Sequence, residues 1–167
     1  FELFDPKSDL RITAGNLPHW YQPGVTYFVT FRADDSLPTQ VAELWYRRRN
    51  DWLARQGIDY KLPNWQARLH MLSNAQQDEY HDTFSREFME SLDRGYGECV
   101  LKRPELSRIV ADSFTHFDGK RYHLADFVVM PNHVHLIVGL IGDTDIEKQC
   151  YSWKKFTATQ INSVLGR

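Results

Sequence analysis

The sequence predicts an α+β fold: an antiparallel sheet with helices packed on it. Three observations lead there. Residues 25–32 form a run of β-branched and aromatic types that reads as a strand. Three stretches of helical periodicity follow it. Two more strand-like runs, separated only by Pro131-Asn132, then precede a last helical stretch. So short a connection makes that pair antiparallel.

Taken in order, residues 1–24 are polar and broken by Pro6, Gly15, Pro18, Pro23 and Gly24, which predicts an irregular arm. Val25 to Arg32 is the first strand. Val41, Leu44, Trp45, Trp52 and Leu53 then recur at helical spacing until Gly57. This helix carries Arg47, Arg48 and Arg49 in a row, which suit either a solvated cap or a phosphate clamp. Residues 58–72 read as connecting structure. Ser73-Asn74-Ala75-Gln76 has the form of a capping box, and Tyr80, Phe84, Phe88 and Leu92 continue as an apolar stripe to Gly95. Pro104 fits the first turn of a third helix, with Leu106, Ile109, Val110 and Phe114 inward before Asp118-Gly119. Tyr122–Met130 and His133–Leu140 are the paired strands. From Asp145 to Leu165, Ile146, Cys150, Trp153, Ile161 and Val164 share one face, and Lys148, Tyr151, Lys155 and Thr159 share the other.

The order strand, helices, strand, strand, helix is one strand short of a ferredoxin-like βαββαβ sheet. The chain begins at Phe1 rather than at a methionine and stops directly after a helical pattern at Leu165-Gly166-Arg167. It is therefore expected to be a fragment, with the last strand beyond its end or the open edge completed by a partner. Residues 1–167 are read as a single domain with an inserted helical region at about 40–98.

At 167 residues and 19.7 kDa, the chain is too short for an eightfold βα barrel, which needs roughly 250 residues. Two cysteines without paired spacing, Cys99 and Cys150, indicate neither a disulfide framework nor a thiolate zinc site. No apolar run reaches membrane-spanning length, so no membrane partner is expected. The net charge of −2 argues against nucleic acid only when averaged. Residues 1–98 carry 11 Lys and Arg against 15 Asp and Glu, while residues 99–167 carry 9 against 7. Five Trp, eight Tyr and ten Phe exceed what a core of this size demands, leaving rings for stacking.

The chemically informative stretch is Val128 to Val138. On a strand, residues two apart share a face, so His133 and His135 present two imidazoles together while Leu136 and Val138 point to a helix layer. Two neutral imidazoles can share a divalent ion if a third ligand arrives from elsewhere. A half-exposed strand that happens to carry two histidines is the plain alternative. Zinc amidohydrolases also use such a pair at a strand end, but their barrel does not fit this length.

Met130-Pro131-Asn132-His133-Val134-His135-Leu136-Ile137-Val138 resembles the signature of the single-tyrosine HUH transposases, in which U is a bulky apolar residue. The closer resemblance is to the branch associated with repetitive extragenic palindromes in bacteria. Ile12-Thr13, Leu17-Pro18-His19-Trp20, Tyr27 to Arg32, Arg121-Tyr122-His123-Leu124, and Ser152 to Thr157 before Ile161-Asn162 add to it. Most of the chain outside 40–98 is covered.

The resemblance implies a ferredoxin-like, cytoplasmic, nucleoid-associated enzyme, monomer or homodimer, that cuts single-stranded DNA beside a hairpin. A tyrosine hydroxyl would attack the phosphate and form a 5′-phosphotyrosine, with Mg²⁺ or Mn²⁺ held by His133 and His135. The nucleophile and third ligand are expected on a helix beyond Arg167; Tyr151 is the substitute inside the chain. Lys154, Lys155, Trp153, Tyr151 and Asn132 are the candidate DNA contacts. Some members of this branch lack the tyrosine, so DNA-hairpin binding without cutting is the alternative function.

Overall fold

A computed structural model describes residues 11–13, 19–21, 25–62 and 65–167. Its elements in chain order are β1 (Arg11–Thr13), β2 (His19–Tyr21), β3 (Thr26–Arg32), α1 (Thr39–Arg55), α2 (Trp65–Leu69), α3 (Asn74–Tyr80), a π-helical turn (His81–Ser85), α4 (Arg86–Asp93), α5 (Pro104–Thr115), β4 (Tyr122–Val129), β5 (His133–Leu140) and α6 (Ile146–Leu165). The fold is mixed α and β, with an open three-stranded antiparallel sheet. Two corrections concern short elements. Within the segment expected to be an irregular arm, β1 and β2 pair as a two-stranded sheet. Each includes a β-branched or aromatic residue, Ile12 and Thr13 in one, Trp20 and Tyr21 in the other, and these types favour extended backbone. Pro6, Gly15, Leu17, Pro18, Pro23 and Gly24 lie outside the described residues. Within 58–72, expected to be connecting structure, α2 forms because Trp65 and Leu69, four apart, are both buried.

The described residues group into two compact units, one built on Trp20–Ala33 with Glu98–Arg167 and the other on Asp34–Gly97. In the first, the strand order is β3-β5-β4, so β5 is central. Its register sets Thr30 opposite His135 and Arg32 opposite His133 on β3, and Val128 opposite His135 on β4. Alternation then sorts the sheet into two faces. Val134, Leu136 and Val138 are buried in one core with Val110 and Phe114 of α5 and Ile146 and Trp153 of α6. Tyr27, Val29, Phe31, Leu124, Phe127 and Val129 pack against the same core. At its centre the Tyr122 hydroxyl donates to the Phe114 carbonyl at 2.7 Å and accepts from Trp153 Nε1 at 3.2 Å. Asp145 caps α6, its carboxylate accepting from the Glu147 and Lys148 amides. Val164, expected to share a face with Ile146, Cys150, Trp153 and Ile161, lies in the last turn of α6 and is exposed.

In the second unit, Trp52, Leu53, Ile58, Trp65, Leu69, Tyr80 and Phe84 form their own core. The capping box at Ser73 and Gln76 opens α3. The π-helical turn then widens the helix around Phe84, whose carbonyl accepts from Trp45 Nε1 at 3.1 Å. Leu44, expected in the apolar stripe of α1, is exposed; the burial of this helix lies near its other end, at Trp52 and Leu53. Gly97 has φ +84°, and a Cβ there would stand 2.5 Å from the Asp35 carbonyl oxygen, so only glycine fits. No helix among the described residues is long and apolar enough to cross a membrane.

Candidate functional site

The sheet face away from α5 and α6 carries the two histidines. His133 is 1% exposed, and His135 is partly buried. Their Nε2 atoms are 3.0 Å apart and their rings lie nearly at right angles. Each Nδ1 is held from behind: His133 Nδ1 is 2.8 Å from Asn132 Oδ1, and His135 Nδ1 is 2.7 Å from Thr30 Oγ1.

The protons on this chain follow from what each atom can do. Asn132 Oδ1 can only accept, so His133 Nδ1 carries the hydrogen and His133 Nε2 presents a lone pair. His135 Nε2–H then donates to that lone pair, and His135 Nδ1 accepts from the Thr30 hydroxyl. Because that hydroxyl can also accept, His135 can move its proton to Nδ1 without losing a partner. Both Nε2 lone pairs are then available together. Two ligands about 2.1 Å from one ion and at right angles to each other are about 3.0 Å apart, so the pair fits two adjacent positions around a divalent ion. Acceptors behind both Nδ1 atoms are the usual support of metal-binding histidines. Among the described residues, no third His, Cys, Asp or Glu joins the pair.

The turn that presents the pair is fixed by its backbone. The Met130 amide donates to the His133 carbonyl at 2.9 Å, Leu101 donates to Pro131 at 3.1 Å, and Ala33 donates to Asn132 at 2.8 Å. Both carbonyls of the two-residue connection are thus held by segments outside the hairpin.

The other sequence-based candidates do not gather here. Asn132, expected to contact DNA, is buried and orients His133 instead. Trp153, also expected to contact DNA, is 2% exposed and packed edge-on against Phe114 and Tyr122. Its apolar-face alternative is the one the core adopts. Tyr151 is 63% exposed, and Lys155 Nζ lies 5.9 Å from the centre of its ring. Lys154 and Lys155 are exposed as well. All belong to α6, which packs on the opposite face of the sheet, so Tyr151 is ill-placed to serve as nucleophile at the histidines. Neither Tyr27 nor Tyr122 shares the histidine face, since both pack in the helix-side core.

Elsewhere, two of the three consecutive arginines already have partners. Arg48 pairs with Glu87 at 2.6 Å, and Arg49 lies 5.1 Å from the ring centres of Trp45, Tyr46 and Trp65. Burial holds the Arg49 pKa below its ordinary value. That arrangement anchors Arg49 among the rings of the second unit. Both cysteines are free thiols, and burial pushes Cys150 up to about 11, far from a thiolate ligand.

Sequence reasoning missed Thr30 and Phe28. Phe28 stacks on His135 with ring centres 5.3 Å apart and planes 14° apart. Alternation along Tyr27–Arg32 sets Phe28, Thr30 and Arg32 on a common face, but only the pairing register brings that face to the histidines. Comparison of the chain with protein-family models, curated proteins and solved structures finds no match.

Proposed function

We propose that this chain binds single-stranded or hairpin DNA on the face carrying His133 and His135, with Mg²⁺ or Mn²⁺ as cofactor, and serves a tyrosine-dependent transposase reaction. The observation that carries the proposal is the Nε2 pair 3.0 Å apart with an oxygen behind each Nδ1. The motif around it, Met130 to Val138, has the form of the HUH transposase signature. The strand order β3-β5-β4 supports a ferredoxin-like sheet, since it supplies the first, third and second strands of such a sheet in the right sequence.

When bound, the divalent ion supplies a Lewis acid for a phosphate oxygen. The chain's own residues do the remaining work described for this face: Asn132 and Thr30 orient the imidazoles, and the anchored turn fixes their separation. In strand cleavage a tyrosine oxygen bonds to phosphorus, and the leaving 3′-oxygen takes up a proton. The attacking tyrosine has to come from a segment other than β3, β4, β5 or α6.

A second reading is favoured by the lack of a tyrosine on the histidine face of β3, β4 and β5: hairpin binding without scission. One experiment separates the two. The protein, carrying whatever chain follows Arg167, is incubated with a fluorescent hairpin bearing a single-stranded flank, with Mg²⁺ or Mn²⁺. Anisotropy reports binding, and a denaturing gel reports a covalent adduct. The cutting reading expects an adduct that His133→Ala and His135→Ala abolish. Binding that weakens with salt and survives both changes, with no adduct, selects the second reading. No binding to any hairpin or single strand rejects both.

A further inference from the structure

Phe28 is 62% exposed, although its neighbours Tyr27 and Val29 pack against the core. Its ring is nearly parallel to His135. One face of the ring is therefore turned to the imidazole, and the exposed surface is a flat apolar plate beside the histidine pair. Ile137, directly opposite Phe28, and Val128, opposite His135, are exposed on the same face. Arg32, opposite His133, places a cation at the other end of this strip.

We infer that Phe28 is a stacking platform for one unpaired base, holding the nucleotide whose phosphate lies at His133 and His135. The inference rests on the DNA reading above and adds a contact to a base, where the histidines address phosphate. A base is the occupant that fits. Aromatic rings accept bases of any sequence through their π faces. Three partly exposed side chains offer much less surface than the roughly 800 Å² each partner buries in a stable protein interface.

The test uses single-stranded oligonucleotides, a set of them with one abasic position each and a set with one 2-aminopurine each. Binding by the wild type, Phe28→Leu and Phe28→Trp is read by anisotropy, and folding by circular dichroism. Phe28→Leu is expected to weaken binding about tenfold, and Phe28→Trp to bind nearly as the wild type does. One abasic position should weaken wild-type binding by a similar factor and have no further effect on Phe28→Leu. 2-Aminopurine at that position should be quenched by the wild type and not by Phe28→Leu. Equal affinity of wild type and Phe28→Leu, or an abasic penalty that persists in Phe28→Leu, overturns the inference and leaves the DNA reading standing. Unchanged DNA affinity in Phe28→Leu together with loss of a wild-type dimer assigns the ring to a second copy. Failure of the wild type to bind any strand removes the DNA reading first.

Discussion

Thr30 Oγ1 lies 2.7 Å from Nδ1 of His135, across the pairing of β3 with β5. The hydroxyl donates when His135 gives its Nε2 proton to His133 and accepts when both Nε2 lone pairs are needed. Thr30→Val keeps the β-branched shape and removes both roles. It is expected to lower Mn²⁺ affinity about 10- to 100-fold with little change in melting temperature, while Thr30→Ser retains affinity. Titration calorimetry with Mn²⁺ measures both variants; unchanged affinity in Thr30→Val would show that the hydroxyl does not position the ring.

Tyr122 joins α5, β4 and α6 through one oxygen, and burial raises its pKa. Tyr122→Phe leaves the buried Trp153 N–H and the Phe114 carbonyl without that partner. The expected loss is about 1–3 kcal/mol, read as a lower urea midpoint. Trp153→Ala, which opens a cavity beside Phe114, should lose about 3–5 kcal/mol. A stable Trp153→Ala variant impaired only in DNA binding would restore Trp153 as a DNA contact.

Cys150 is held protonated in the folded chain up to about pH 11, whereas an unfolded thiol ionises near about 8.5. Between these values the unfolded chain has lost a proton that the folded chain keeps, so stability falls as pH rises through that window. Cys150→Ala should flatten this part of the stability profile. Native alkylation of Cys150, followed by peptide mass spectrometry to separate it from Cys99, should be slow at pH 8 and accelerate toward pH 11.

Gly97→Ala combines a strained positive φ with a Cβ pressed against the Asp35 carbonyl. It is expected to destabilise the chain by at least about 2 kcal/mol. Gly57→Ala, where φ is +74° but the space is open, should cost less. Equal melting temperatures for the two variants would remove the contact with Asp35 as a cause.

Much of this architecture is legible in the residues. Alternation in Val134–Val138 gives the two faces of β5, Ser73 and Gln76 give a helix start, and Gly57 marks where α1 stops. His133 and His135 stand on one face because they are two apart. What the sequence does not carry is register. Thr30 and Phe28 are ordinary strand residues until β3 is set against β5, and Asn132 reads as a polar turn residue until its side chain is seen behind His133. Trp153 is ambiguous in the sequence for a related reason: one indole serves a core or a surface equally well, and its burial and bond to Tyr122 decide.

The two supports of the histidine pair also differ in how they are acquired. Asn132 adjoins His133 on the β4–β5 hairpin, a local structure that closes quickly. Thr30 and His135 are separated by 105 positions. Closing so long a loop carries a larger entropic cost, and contacts of high sequence separation slow folding. His133 is thus held within the hairpin itself, whereas His135, with its stacked Phe28, is held only where β3 pairs with β5. Both supports are therefore in place only when β3 is paired with β5.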